Sequence, residues 1–374
     1  MEKNVLYIGL DVDDKSYHGG VLGEGKRSMD YFKCKPSVGN LIAQLKRYEG
    51  NGNKLKLCYE ATYIGYTLVR ALRKRGYECE VIAPSSIPRH NSRVKTDRID
   101  CGKLAEYYKQ GLLRTVTVPD REDESVRDYI RSRDYLVGQQ AQLKLHIQSL
   151  CRRLGIDYRG STENRGAHYW TKAHESWLNA QMKEMESGMA KSTLIIVVDQ
   201  LKQLQGTIQE MDKQIESISE TDRYKKKKEA LVCYKGIKTR TAMVLITELG
   251  DINRFDHPGR ITSYIGMDIA EYSSGGKEKK YGITKQGNSH VRTALIESAQ
   301  MAWQSPRMSK EVKRRQEGVE RTYVAIADRC LERIHRKAYR LLHNHKPMNK
   351  IKVACAREMI GFIWESLRLV STSN

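Results

Sequence analysis

Apolar residues in the first 120 positions fall in short runs whose spacing switches between about two and about 3.6 residues. "NVLYIGLDV" at 4–12 is a nearly continuous apolar run, the pattern of a strand buried on both faces. "YHGGVLG" and "RSMDYFKC" read as two further strands of a meander. "SVGNLIAQLKRYEG" has the spacing of a short amphipathic helix that stops at Gly50. "KLKLCYE" is a strand, "TYIGYTLVRALRKRG" a helix stopped at Gly76, and "ECEVIAP" a strand closed by Pro84. A helix carrying Asp97 and Asp100 follows and ends near Gly111. The predicted order is three strands, helix, strand, helix, strand, helix.

The texture then changes. One amphipathic run covers 122–153, and a Gly-bearing stretch follows it. From Leu194, apolar residues recur every seven positions (Leu194, Leu201, Ile208, Ile215), with Val197, Leu204, Met211 and Ile218 three further on. Such a/d heptads predict a coiled coil or helical hairpin, either a long core helix of one subunit or the seam of a dimer or tetramer. Residues 234–374 read as a basic, helix-rich region broken by one polar loop, "DIAEYSSGGKEKKYGITKQGN", with "KKKK" at 225–228 just ahead of it. The expected organisation is α/β plus α: a domain at 1–118, a helical or coiled-coil connector at 119–233 and a helix-rich domain at 234–374.

Composition narrows the partner. Lys+Arg number 66 against 45 Asp+Glu, a net charge of +21 that favours a polyanion. No apolar run reaches membrane-spanning length and the N-terminus lacks the pattern of a signal peptide. Nucleic acid is therefore the expected partner, in the cytoplasm and not at a membrane. The eight cysteines are scattered with no CxxC pair, which argues against a zinc site or a disulfide framework. Tyrosines outnumber phenylalanines 21 to 3, and Tyr224, Tyr234 and Tyr339 lie in basic tracts at 223–240 and 331–352, a mixture that suits base stacking. "YKGIKTRTAMVLITELGD" resembles a helix-hairpin-helix, a motif that grips backbone.

Two apolar strands end in acids, Asp11 in "YIGLDV" and Glu60 in "LKLCYE". Burying a carboxylate is costly unless something pairs with it. Asp97 and Asp100 share a helix face through their i, i+3 spacing, although Asp97 by itself reads as the helix N-cap. Together the four carboxylates form an oxygen-donor set of the kind that holds Mg²⁺ or Mn²⁺. A pair of such ions serves phosphodiester chemistry.

"YIGLDV", "CYEAT" and "VKTDRIDCGKLAEYY", in that order, resemble the Asp-Glu-Asp-Asp pattern of insertion-sequence transposases whose catalytic domain is RuvC-like, with an RNase H fold. "YKGIKTRTAMVLITELGDINRF", "SYIGM" and "EYSSGGKEKKYGITKQGNSHVRTALIESA" resemble the C-terminal domain of the same family, which includes recombinases guided by a structured bridge RNA. The chain departs from the family at Lys235-Gly236-Ile237, at Tyr63 and in "GMDI", none of them at a proposed ligand. The resemblance implies that Asp11, Glu60, Asp97 and Asp100 hold Mg²⁺ and that a nucleophilic serine lies at Ser274, with Ser273 as the adjacent alternative. It also implies DNA as substrate, a non-coding guide RNA, and a homodimer or homotetramer with composite active sites.

Around the serine, Lys277, Lys279, Lys280, Lys285 and Arg292 surround the glycines of "SSGG" and "KQGN", a basic setting for phosphate. His290 is the local histidine and stands without an acidic partner in sequence, so the serine is expected to work beside the metal cluster. The alternatives are a Holliday-junction nuclease of RuvC type that uses metal-activated water, and a non-catalytic nucleic-acid-binding protein.

Overall fold

The protein is described by a computed structural model. It covers residues 4–25, 28–88, 96–160, 168–274, 277–302 and 305–372, without the side chains of 51, 272–280 and 301–302. The chain divides into two compact units, Met1–Asp120 and Arg121–Asn374.

The first unit contains β1 (Val5–Val12), β2 (Tyr17–Gly23), β3 (Asp30–Cys34), α1 (Val38–Glu49), β4 (Lys54–Glu60), α2 (Thr67–Arg73), β5 (Glu78–Ile82), α3 (Asp97–Lys109) and the short β6 (Thr115–Val116). The sheet order is β3-β2-β1-β4-β5-β6. β1, β2 and β3 form an antiparallel meander, β4 and β5 continue parallel to β1, and β6 closes the edge antiparallel. The period-2 side-chain alternation of a strand explains how both faces are used. Ile8, Leu10, Leu57 and Tyr59 point into a core with Leu41 and Leu45 of α1 and Leu68, Val69 and Leu72 of α2. The alternate positions face α3. Tyr7 packs edge-on against Tyr108 at 5.9 Å, and Cys58 joins Leu104 in a smaller cluster.

α3 lies unusually close to the sheet because glycines receive it. A Cβ on Gly9 would stand 2.3 Å from the Cys101 carbonyl oxygen and 2.4 Å from the Ala105 nitrogen, and one on Gly20 would stand 2.8 Å from Gly102. With Tyr108 over Tyr7 and Cys101 over Gly9, α3 runs antiparallel to β1 and its first turn arrives at the C-terminal end of that strand.

The second unit consists of α4 (Arg121–Arg153), α5 (Lys172–Glu184), α6 (Met189–Ser219), α7 (Lys225–Val232), α8 (Thr239–Leu249), α9 (Pro258–Tyr264), β7 (Ile269–Ser274), β8 (Lys277–Ile283), α10 (Ser289–Ala302), α11 (Lys310–Gln316), α12 (Arg321–His343) and α13 (Met348–Thr372). The heptad segment is α6, and it pairs within its own chain with α4. Val126 and Ile130 share a core with Ile215, whereas Ile147 and Cys151 share one with Leu194, Val198 and Leu201, so the two helices run antiparallel. Leu194, Leu201, Ile208 and Ile215 are buried and Val197, Leu204, Met211 and Ile218 half-buried. The segment expected as a separate connector is continuous with the C-terminal region. Val126, Ile130 and Ile215 lie in the same core as α8, α10, α12 and α13. Among the described residues, no helix is long and apolar enough to cross a membrane.

Two sequence expectations are corrected here. The polar stretch after Asp268 is a β-hairpin, β7 paired antiparallel with β8 from Ile269–Ile283 to Ser274–Lys277. Its residues are too polar for alternation to register as a strand signal. Tyr224 and Tyr234 are each 1% exposed and cannot stack on bases. Their hydroxyls donate to Asp123 at 2.7 Å and to the Phe362 carbonyl at 2.9 Å. Within "KKKK", Lys228 is buried and bonded to Glu220 at 2.6 Å.

Candidate metal centre and serine hairpin

Asp11 ends the exposed-to-α3 series of β1, and its cross-strand partner on β2 is His18. Thr96 caps α3, its side chain accepting from the Ile99 amide at 3.4 Å. Asp97 is therefore the first helical residue and not the cap expected from sequence. Its carboxylate is released from capping and lies 3.5 Å from His18 Nδ1. Asp11, His18 and Asp97 each bring a ligand atom within 4.8 Å of the others. Asp100, one turn along α3, also faces this end, because its charge acts on Asp11. Burial, then the negative charges of Asp97 and Asp100, push the Asp11 carboxyl above the ordinary carboxylate range, and His18 only partly offsets them.

Glu60 closes β4. Leu10 of β1 is paired in register with Tyr59, so Glu60 follows at the level of Asp11. Alternation places it on the α3 side with Cys58. It is not part of the Asp11–His18–Asp97 group. The structure thus brings two predicted carboxylates, Asp11 and Asp97, together with one added imidazole, with Asp100 one turn further along α3 and Glu60 on a neighbouring strand end. Sequence reasoning missed His18, although a signal existed. A tight turn at Asp13–Ser16, held by Asp13 accepting the Lys15 and Ser16 amides, forces Val12 opposite Tyr17 and hence Asp11 opposite His18. Two carboxylates and an imidazole in mutual reach fit a divalent cation, which would offset the like charges of Asp97 and Asp100 beside Asp11.

The serine expected as nucleophile, Ser274, is the last residue of β7, with Ser273 before it. The hydroxyls of both, and the side chains of Lys277, Lys279 and Lys280, lie outside the described residues, as do Gly275 and Gly276 altogether. The base of the hairpin is well defined. The Thr284 amide donates to the Asp268 carbonyl at 2.9 Å, Lys285 to Gly266 at 2.9 Å, and Asn288 to Tyr264 at 3.0 Å. A Cβ on Gly287 would meet the Tyr264 oxygen at 2.1 Å, so only glycine permits this backbone contact. Lys285 is exposed with positive φ, 57°. Arg292 is half-buried, and its Nη1 donates to the Ile265 carbonyl at 2.7 Å, which ties α10 to the end of α9.

Beneath the hairpin sits a buried carboxylate that sequence reading passed over. Glu248, 2% exposed, takes both Arg131 donors, at 2.7 and 2.9 Å, and the Asn288 amide at 2.7 Å. Asn288 in turn caps α10 by accepting the Val291 amide at 3.1 Å. The helix-hairpin-helix expectation falls on α7, Gly236 and α8. Gly236, at φ 93°, presses against the Ser298 carbonyl. Lys235 donates to the Ser305 carbonyl at 2.6 Å, and burial lowers its pKa. This turn is engaged by its own chain.

The sequence matches two family models: residues 228–314 match "Transposase IS116/IS110/IS902 family", and residues 8–155 match the DEDD transposases of IS110 type. A putative transposase, y4qE, of Sinorhizobium fredii is 30% identical over 97% of this chain and 88% of its own length. The transposase for insertion sequence element IS1533 of Leptospira borgpetersenii is 27% identical over 93% of this chain and all of its own. The acids at the strand and helix ends lie within one matched segment and the serine hairpin within the other, and the chain belongs to the IS116/IS110/IS902 family of transposases.

Proposed function

We propose that this transposase cuts and rejoins DNA through the Ser274 hydroxyl, with a divalent cation, Mg²⁺ or Mn²⁺, held by Asp11, Glu60, Asp97 and Asp100. The observation that carries the proposal is the seating of α3 on Gly9 and Gly20, which aims two first-turn aspartates at a third, charge-strained carboxylate. The β3-β2-β1-β4-β5 order, with a meander followed by two parallel strands, supports an RNase H-like (RuvC-like) domain. A bound divalent ion would polarise the scissile phosphate and stabilise the departing oxygen.

The chain's own groups have separate tasks. His18 faces Asp97 and orients its carboxylate toward Asp11. The Ser274 oxygen attacks phosphorus and loses its proton to solvent, while the phosphorus–oxygen bond to the departing strand breaks and that oxygen takes up a proton from solvent to leave as a free DNA hydroxyl. The resulting phosphoserine ester conserves bond energy, so attack by a second DNA hydroxyl reverses the step without a nucleotide cofactor. Lys277, Lys279, Lys280 and Lys285 supply positive charge along the hairpin for the DNA backbone, and Arg292 holds its base. A structured non-coding RNA as guide rests on the family resemblance and the +21 charge. Assembly as a homodimer or homotetramer rests on the α4–α6 hairpin, where Tyr135 and Leu145 are exposed.

The test is a covalent adduct on element-end DNA with Mn²⁺, resolved after denaturation. Wild type and S273A form the adduct; S274A and D11N do not. Cleavage by S274A with no adduct in wild type would establish the competing reading, a nuclease using metal-activated water. Sequencing the co-purified RNA tests guidance: one discrete species supports it, and a heterogeneous cellular mixture removes it.

A further inference from the structure

Residues 335–352 contain six Lys or Arg, three His and no acid. This window is the C-terminal part of α12, the turn, and the start of α13, beyond residue 314 where the family match ends. Acids on α13 answer the basic residues next to it. Arg329 meets Glu365 at 2.5 Å, and both Arg333 and Lys337 meet Glu358. At the tip the pairing stops. Among the described residues, Arg336, Arg340, Lys346 and Lys350 have no acidic partner, and all four are exposed.

Arg336, Tyr339, Arg340 and His343 follow i, i+3, i+4, i+7 spacing and so share one face of α12. Of the three tyrosines in basic tracts, Tyr339 alone is open to solvent, at 67% exposure. The turn is held rigidly: the His345 amide donates to the Leu342 carbonyl at 2.9 Å and the Lys346 amide to Leu341 at 3.0 Å. This closure needs a left-handed residue, usually glycine, and here it is His345 at φ 51°. A polar side chain is thus kept where glycine would relieve strain, which points to use of the tip.

Unpaired guanidinium and ammonium groups around an exposed phenol, with almost no apolar surface beside them, match a phosphate backbone. They match a membrane poorly, since beside Tyr339 the one large apolar side chain open to solvent among the described residues of the tip is Met348, at 37% exposure, too little to anchor in lipid. We propose that the α12–α13 tip is a second, sequence-independent grip on duplex DNA, distinct from the serine hairpin, in which Arg336, Arg340, Lys346 and Lys350 contact phosphates and Tyr339 donates its hydroxyl to one.

The test measures binding of the full chain to a labelled duplex across a salt series, in an S274A background so that no chemistry intervenes. Each lost phosphate contact lowers the slope of log affinity against log salt by about 0.9. R336Q/R340Q/K350Q is expected to lower it by about 2.7, equally for unrelated duplex sequences. R340Q alone, at an exposed site that cannot compromise folding, lowers it by about one. K183Q/K202Q/K213Q, which removes the same charge from α5 and α6, leaves it unchanged. The proposal is overturned by an unaltered slope in the tip variants, by an equal loss in the charge-matched control, or by weakened RNA binding with intact duplex binding.

Discussion

At the scale of single residues, the candidate metal centre depends on atoms that are missing. Gly9 and Gly20 place the α3 backbone against β1 and β2, and no side-chain movement would make room for an added Cβ, because the nearest atoms it would meet are backbone. Gly9→Ala is expected to destabilise the protein by about 1–3 kcal/mol, the usual result of overpacking. It also shifts Asp97 and Asp100 away from Asp11, so stabilisation by Mn²⁺ in a thermal melt disappears with it. Gly206→Ala is the matched contrast. Gly206 lies exposed inside α6 with open space around its missing Cβ, and the substitution should stabilise by roughly 0.5–1 kcal/mol through helix propensity. A G9A that melts like wild type and still responds to Mn²⁺ would refute the account of α3 seating, and a destabilised G206A would refute the open space assigned to Gly206.

Among elements, Glu248 joins α4, α8 and the start of α10 in a single buried contact. Its partner Arg131 is 39% exposed and can return to water, whereas Asn288 cannot leave without uncapping α10. Arg131→Ala is therefore expected to cost about 3–5 kcal/mol, because it leaves the buried Glu248 carboxylate without its cation, whereas Glu248→Ala frees an arginine that water can solvate and costs less. Hydrogen exchange should rise first in residues 284–292, the segment that anchors β8. Uniform exchange across the second unit would instead mark Glu248 as a general stability residue. This element scale also shows what could be read from sequence. Strand alternation and Gly or Pro stops located β1 to β5 and α1 to α3, and with them the four acids. The choice of Thr96 over Asp97 as cap was hidden because Asp is the better N-cap of the two residue types, so residue preference pointed one position too far. His18 depended on hairpin register, and β7–β8 carried no apolar alternation to reveal it. The burial of Tyr224 and Tyr234 inside basic segments is a tertiary fact that local composition conceals.

At the scale of the whole chain, the two units differ in what they need. The clusters around Ile8, Leu57 and Leu41, and around Cys58, Ile82 and Leu104, are built from residues before Asp120. By contrast, the 119–233 segment shares its core at Val126, Ile130 and Ile215 with helices far downstream. A fragment of residues 1–120 should therefore unfold in one cooperative transition, while a 119–233 fragment loses helix at the ends of α4 and α6 nearest that core. The first fragment also contains Asp11, His18, Glu60, Asp97 and Asp100. If these residues hold the cation by themselves, Mn²⁺ at ten times its dissociation constant should stabilise the fragment by about 1.4 kcal/mol. For a domain of this length that is a rise in melting temperature of roughly 5 °C. D11N in the same fragment should melt slightly higher than wild type without metal, because it removes a carboxylate that burial, Asp97 and Asp100 disfavour as an anion. Mn²⁺ should then leave its melting temperature unchanged. A cooperative fragment indifferent to Mn²⁺ would mean that these acids do not form a metal site unaided, and the proposed cation chemistry would have to draw ligands from elsewhere.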